Sequence, residues 1–148
     1  MHRRTLLLGT AAVLAAPPAR ASAETLIVHR DPSCGCCGAW VEAFRKAGYR
    51  LTVSEIDDVT PIKVWLRVPE TLYSCHTVEV AGYFLEGHVP LQAVSRLLEE
   101  RPDIRGLAVA GMPAGSLGMG EDPNASYDVV AVPQGGRPSY VFQAVRPG

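Results

Sequence analysis

Apolar residues along the chain come in short blocks of two different periods, separated by glycine, proline and small polar residues. Thr25 to His29 is a short apolar run and reads as a buried strand. Asp31-Pro32-Ser33 is a turn and a helix-start signal, after which Trp40, Val41, Phe44 and Ala47 recur at helical spacing until Gly48. Leu51, Val53 and Ile56 alternate loosely, which predicts a second strand over Arg50 to Ile56. Thr60-Pro61 opens a second helix with proline at its first position; that helix carries Ile62, Val64, Trp65 and Leu66 and stops before Pro69. Thr77 to Val80 and Tyr83 to Glu86 are strand-like, with Ala81-Gly82 between them as a tight hairpin turn. Pro90 opens a third helix, with Leu91, Val94, Leu97 and Leu98 on one face, ending at Arg101-Pro102.

This order predicts an α/β fold of thioredoxin-like type: a right-handed βαβ unit, an antiparallel hairpin and a closing helix. Residues 104–124 are rich in glycine and proline and read as a loop. Tyr127 to Val132 and Tyr140 to Val145 read as an added C-terminal β-hairpin on a single domain over residues 24–148, with no internal repeat.

The first 23 residues stand apart as an export signal. His2-Arg3-Arg4 is a charged start, Leu6 to Ala16 is an uncharged stretch too short to span a bilayer, and Ala21-Ser22-Ala23 is a cleavage site before Glu24. Arg3-Arg4-Thr5-Leu6-Leu7 resembles a twin-arginine signal, with an ordinary secretory signal as the alternative. No membrane span is expected in the mature chain. Removing the leader takes three arginines and no acids, leaving 11 basic and 15 acidic residues, a net charge of −4. That balance argues against nucleic acid as a partner, which requires a basic face. A hydrophobic fraction of 47% excludes wholesale disorder.

The chemistry concentrates in four cysteines, three of them within Cys34-Gly35-Cys36-Cys37 and the fourth in Cys75-His76. The start of the first helix is where backbone N–H groups favour thiolate over thiol, so some of these thiols are expected to be acidic. Outside the cytoplasm four cysteines ordinarily mean two disulfides, and Cys34–Cys37 with Cys36–Cys75 is the comfortable pairing. A single zinc ion would use Cys34, Cys37, Cys75 and His76, but adjacent residues such as Cys75 and His76 tend to diverge, and Cys36 would stay idle. Adjacent thiolates suit sulfurs that each bridge two metal ions, and soft thiolates select Cu(I). Four Cu(I) and four thiolates sum to zero charge, so such a cluster can be partly buried. His29, His76, His88, Met112 and Met119 are the other borderline or soft donors of the mature chain. His29 ends the strand leading into the cysteine loop, a position suited to support a thiolate or to bind weakly.

Four motifs occur in order: Asp31-Pro32-Ser33-Cys34-Gly35-Cys36-Cys37-Gly38-Ala39-Trp40; Ser74-Cys75-His76-Thr77; Gly82-Tyr83-Phe84-Leu85-Glu86-Gly87-His88-Val89-Pro90; and Gly111-Met112-Pro113 with Gly115-Ser116 and Gly118-Met119. Over about residues 25–120 the chain resembles the small exported metal-binding family that includes the copper-resistance protein CopG. The resemblance implies a thioredoxin-like fold, a periplasmic location and a cysteine-bridged, multinuclear Cu(I) cluster. It also implies a role in Cu(I)/Cu(II) redox chemistry during copper resistance, as a copper oxidoreductase. Carried over by position, the metal residues are Cys34, Cys36, Cys37 and Cys75, with His76, His88, Met112 and Met119 inside matching motifs. Copper ions are then the ligand, and other exported copper-handling proteins are partners. Two other functions stay open: a thiol–disulfide oxidoreductase using Cys34 and Cys37, and a copper carrier. In the thioredoxin-like pattern a cis proline faces the CxxC pair. Here Cys75-His76 takes that place, which predicts Cys75 close to Cys36.

Overall fold

The computed structural model describes residues 24–147; the leader read in residues 1–23 lies outside them. Seven strands form one sheet: β1 (Thr25–Arg30), β2 (Arg50–Glu55), β3 (His76–Val80), β4 (Tyr83–Glu86), β5 (Ile104–Ala108), β6 (Tyr127–Pro133) and β7 (Tyr140–Val145). Their spatial order is β2-β1-β3-β4-β5-β6-β7. Helix α1 (Gly35–Lys46) joins β1 to its parallel neighbour β2. Helix α2 (Thr60–Trp65) and a 3-10 turn at Glu70–Leu72 lead into β3, which runs antiparallel to both β1 and β4. Helix α3 (Leu91–Glu100) returns the chain to β5, parallel to β4. No helix among the described residues is long and apolar enough to cross a membrane.

The local chemistry explains these elements. Ala81 (φ 50°) and Gly82 (φ 84°) both adopt positive φ, the geometry of a primed two-residue turn that matches strand twist. Pro90 caps α3 at its N-terminus, and Ala93, Val94, Leu97 and Leu98 bury one face of that helix. Trp40 and Phe44, one helical turn apart on α1, stack with ring centroids 4.0 Å apart. With Leu26, Val28, Val78 and Leu85 they belong to the main core. Trp40 is wholly buried, and its indole N–H donates to the Val89 carbonyl at 3.0 Å, so the core ends directly against the segment that follows β4.

Two expectations need correction. The glycine- and proline-rich reading of residues 104–124 hid β5 at its start. Because β5 lies between β4 and β6, the added C-terminal hairpin continues the main sheet. The second reversal is on α2. Val64 and Trp65, two of the apolar residues read on this helix, are 61% and 66% exposed, while Lys63 is only 5% exposed. A buried acidic partner explains the inversion, since a charge is rarely buried unless it is paired; that partner is Glu86, 2.5 Å away.

Candidate metal centre

The cysteine loop begins where β1 stops. The Asp31 carboxylate accepts the Ser33 N–H at 2.7 Å, the Asp31 carbonyl accepts the Cys34 N–H at 3.1 Å, and this turn sets Cys34 as the N-cap of α1. The Arg30 guanidinium donates to the Cys34 carbonyl at 3.1 Å and ties the loop to the end of β1. Cys34 and Cys37 fall on one helical turn and are joined by a disulfide, Cα to Cα 5.4 Å. Cys36 and Cys75 are free thiols. Cys36 Sγ lies 3.5 Å from Cys34 Sγ and 3.9 Å from Cys75 Sγ, meeting the expectation that Cys75 closes the site opposite Cys36.

The opposite wall comes from the segment entering β3 and the segment leaving β4. Gly87 N–H donates to the His76 carbonyl at 2.9 Å, which holds these two segments side by side. Cys75 Sγ then sits 3.4 Å from His76 Nδ1 and 3.0 Å from His88 Nε2. Adjacent side chains were expected to diverge; Cys75 and His76 instead converge. The Leu117 carbonyl lies 2.7 Å from His88 Nδ1. A carbonyl only accepts, so Nδ1 carries the proton and Nε2 presents its lone pair to the sulfur.

Burial sets the protonation states. Cys75 is pushed up to about 11, first by desolvation and then by the like-charge repulsion a Cys36 thiolate would exert. It is therefore a neutral thiol that donates to His88 Nε2; Cys75 lies before β3, away from the N–H groups at the start of α1. His76 is pushed down to about 3 by burial first, with His88, Lys63 and Arg30 adding positive charge nearby. Burial also lowers His88, against the opposing effect of its hydrogen bond to Leu117. Both imidazoles are neutral at neutral pH, the form that binds a metal. His76 Nε2 is buried without a hydrogen-bond partner.

The donor atoms form two overlapping sets. The four sulfurs of Cys34, Cys36, Cys37 and Cys75 lie within 4.8 Å of one another, and so do the donors of Cys75, His76 and His88. Two sulfurs on one ion, each about 2.3 Å from it, are themselves separated by roughly 3.7–4.6 Å as the angle opens from tetrahedral to linear. The 3.9 Å between Cys36 and Cys75 falls in that range and the 3.5 Å between Cys34 and Cys36 just below it, so small side-chain shifts let these thiolates share ions once Cys34 and Cys37 are reduced; Cys75 belongs to both sets.

The loop after β5 covers this site. Gly118 (φ 98°) passes so close to α1 that a Cβ there would lie 2.6 Å from the Cys36 carbonyl, so only glycine fits. Met112 and Met119 stand on this loop, 55% and 37% exposed. His29 is directed elsewhere: its Nε2 pairs with Glu79 at 2.8 Å rather than supporting a thiolate.

Sequence reasoning missed the groups behind the ligands. Arg30, the Leu117 carbonyl and the Lys63–Glu86 pair all hold the site. The signal available for the last was two opposite charges set inside apolar runs, Lys63 within Ile62 to Leu66 and Glu86 after Phe84-Leu85.

A family model described as a protein of unknown function, DUF411, matches residues 72–119, the stretch holding Cys75, His76 and His88. No curated protein matches the chain. Two solved structures do. "Copper resistance protein copG- Form 1" is 38% identical, covering 84% of this chain and 98% of its own, with a TM-score of 0.76. "Copper resistance protein copG- Form 2" is 37% identical, covering 82% and 98%, with a TM-score of 0.77.

Proposed function

This chain belongs to the CopG family of copper-resistance proteins, and we propose that it is an exported copper-binding protein holding several Cu(I) ions in a cysteine-bridged cluster. The observation that carries this reading is the position of Cys75 Sγ, shared by the four-sulfur set and the Cys75–His76–His88 set. A sulfur with neighbours on two sides is placed to bridge ions, and a mixed set of thiolates and imidazoles accepts both oxidation states of copper. The ligands in this reading are Cys34, Cys36, Cys37, Cys75, His76 and His88, with Met112 and Met119 as outer thioether donors on the covering loop. Loading releases protons, because Cys75 is a thiol before copper arrives. Conversion of Cu(I) to Cu(II) at this centre, and exchange of copper with other exported proteins, belong to the same proposal. We read strands β2, β1, β3 and β4 with α1 and α3 as a thioredoxin-like core within one domain, and residues 1–23 as the leader that sends it to the periplasm.

Reduced protein lacking the leader, titrated anaerobically with Cu(I) against a chromophoric chelator, should bind several ions per chain with thiolate-to-copper absorption in the near ultraviolet. Cys36→Ser and Cys75→Ser should each lower that number. Uptake of one ion or none overturns the cluster.

A second reading has its own observation, the Cys34–Cys37 disulfide at the start of α1. A thiol–disulfide oxidoreductase working through that pair should keep its exchange activity in Cys36→Ser and Cys75→Ser, since neither is needed for the redox couple.

A further inference from the structure

One buried charged network lies behind the metal centre and takes no part in binding ions. Lys63 reaches in from α2, and its ammonium donates to Glu86 Oε1 at 2.5 Å and to the Thr77 hydroxyl at 2.9 Å. The Thr77 hydroxyl in turn donates to Glu86 Oε2 at 2.7 Å. The backbone N–H of Ser74 donates to Glu86 Oε1 at 2.6 Å. Lys63 Nζ also lies 5.5 Å from the centroid of the Tyr73 ring. Glu86 and Thr77 are wholly buried and Lys63 nearly so.

The positions of these partners carry the argument. Ser74 and Thr77 bracket Cys75-His76, and Glu86 is two residues before His88. A single carboxylate thus ties both ends of the Cys75-His76 segment to the end of β4, two residues before His88. Stability alone is a poor reason for this pair, because replacing a buried ion pair with apolar side chains is often neutral or stabilising. What an apolar pair cannot do is accept the Ser74 N–H. We propose that Lys63 and Glu86 are positioning residues that hold the Cys75 thiol against His88 Nε2 and Cys36 Sγ, preorganising the centre for copper. This deepens the copper-binding reading and rests on it only where copper is the readout.

The test compares wild type with Lys63→Met/Glu86→Leu, which removes both charges and keeps an apolar fill, and with Glu86→Gln, which keeps the shape. Two quantities are read. The first is retention of Cu(I) by reduced protein against a chromophoric chelator. The second needs no copper: in the oxidised, copper-free protein only Cys36 and Cys75 are free, so their iodoacetamide labelling is compared by mass spectrometry. The double variant should keep a wild-type circular dichroism spectrum and a similar Tm. It should lose at least about tenfold in Cu(I) retention, as supporting partners of metal ligands do. Labelling of Cys75 relative to Cys36 should rise several-fold, because the segment that half-buries Cys75 is released. Glu86→Gln, whose amide oxygen can still accept the Ser74 N–H but which loses the charge facing Lys63, should move both readouts the same way by a smaller amount, and unchanged readouts in it overturn the inference if the double variant does not fold. Unchanged retention and an unchanged labelling ratio in a folded variant would show the network to be packing only and overturn the inference. If wild type binds no copper, the cluster reading fails by itself and the labelling ratio still decides the role of Lys63 and Glu86.

Discussion

Acid should destabilise the copper-free protein in large part through His76. Its imidazole is wholly buried beside Trp40, with ring centroids 4.9 Å apart, and burial holds it neutral down to about pH 3. In the unfolded chain the same group takes its proton near pH 6.5. Below that value the unfolded state binds more protons than the folded state, so stability falls as the pH falls through the window from about 6.5 to about 3. Above the window the contribution is fully present. Each pH unit inside it is worth about 1.4 kcal/mol, so going from about pH 7 to about pH 4.5 should remove roughly 2–3 kcal/mol through His76. The assay is urea unfolding of wild type and His76→Leu at both pH values, with the Cys34–Cys37 disulfide intact in both. Carboxylates and His88 titrate in both proteins, so the difference between the two pH dependences belongs to His76. The variant should lose less stability on acidification by about that amount. Equal losses in the two proteins would refute the idea that a neutral, buried imidazole stands behind Cys75.

Other consequences follow from the same geometry. Gly118→Ala places a methyl against the Cys36 carbonyl at a positive φ; it should cost about 1–3 kcal/mol, or lift the covering loop, read as faster proteolysis within residues 111–120. Protein with Cys34–Cys37 kept as a disulfide should bind fewer Cu(I) ions than the same protein after reduction, because two of the four sulfurs are occupied by each other; equal uptake in a chelator competition would contradict shared sulfur ligation. His88→Ala removes both the lone pair facing Cys75 and the donor to Leu117; Cu(I) retention should fall at least about tenfold, with the loop more accessible to protease.

Much of this was legible in the chain because it is local. Tyr83 to Glu86, the Ala81-Gly82 turn and the helix after Pro90 declare themselves through period and turn residues, and each lies where it was expected. The cysteine spacing likewise fixed three sulfurs at the start of α1. What stayed hidden depends on pairing between distant segments. Strand β5 is five residues long and contains Gly106, pressed against the Phe84 carbonyl and ring, so it reads as loop until β4 and β6 supply its partners. Lys63 in the interior could be understood only with Glu86, 23 residues away, in view. The approach of Cys75 to His76 overrode the divergence expected of adjacent side chains because His76 opens β3 while Cys75 remains outside it. Met112 and Met119 carried no packing signal, and their exposure is consistent with that.

The most direct test is X-ray absorption at the copper edge of reduced, Cu(I)-loaded protein. Shared thiolates predict an inner shell dominated by sulfur at about 2.3 Å, a smaller contribution from imidazole nitrogen, and a distinct copper–copper scattering shell that weakens in Cys75→Ser. A copper ion with no metal neighbour, or with an inner shell of nitrogen and oxygen, would contradict the bridged centre.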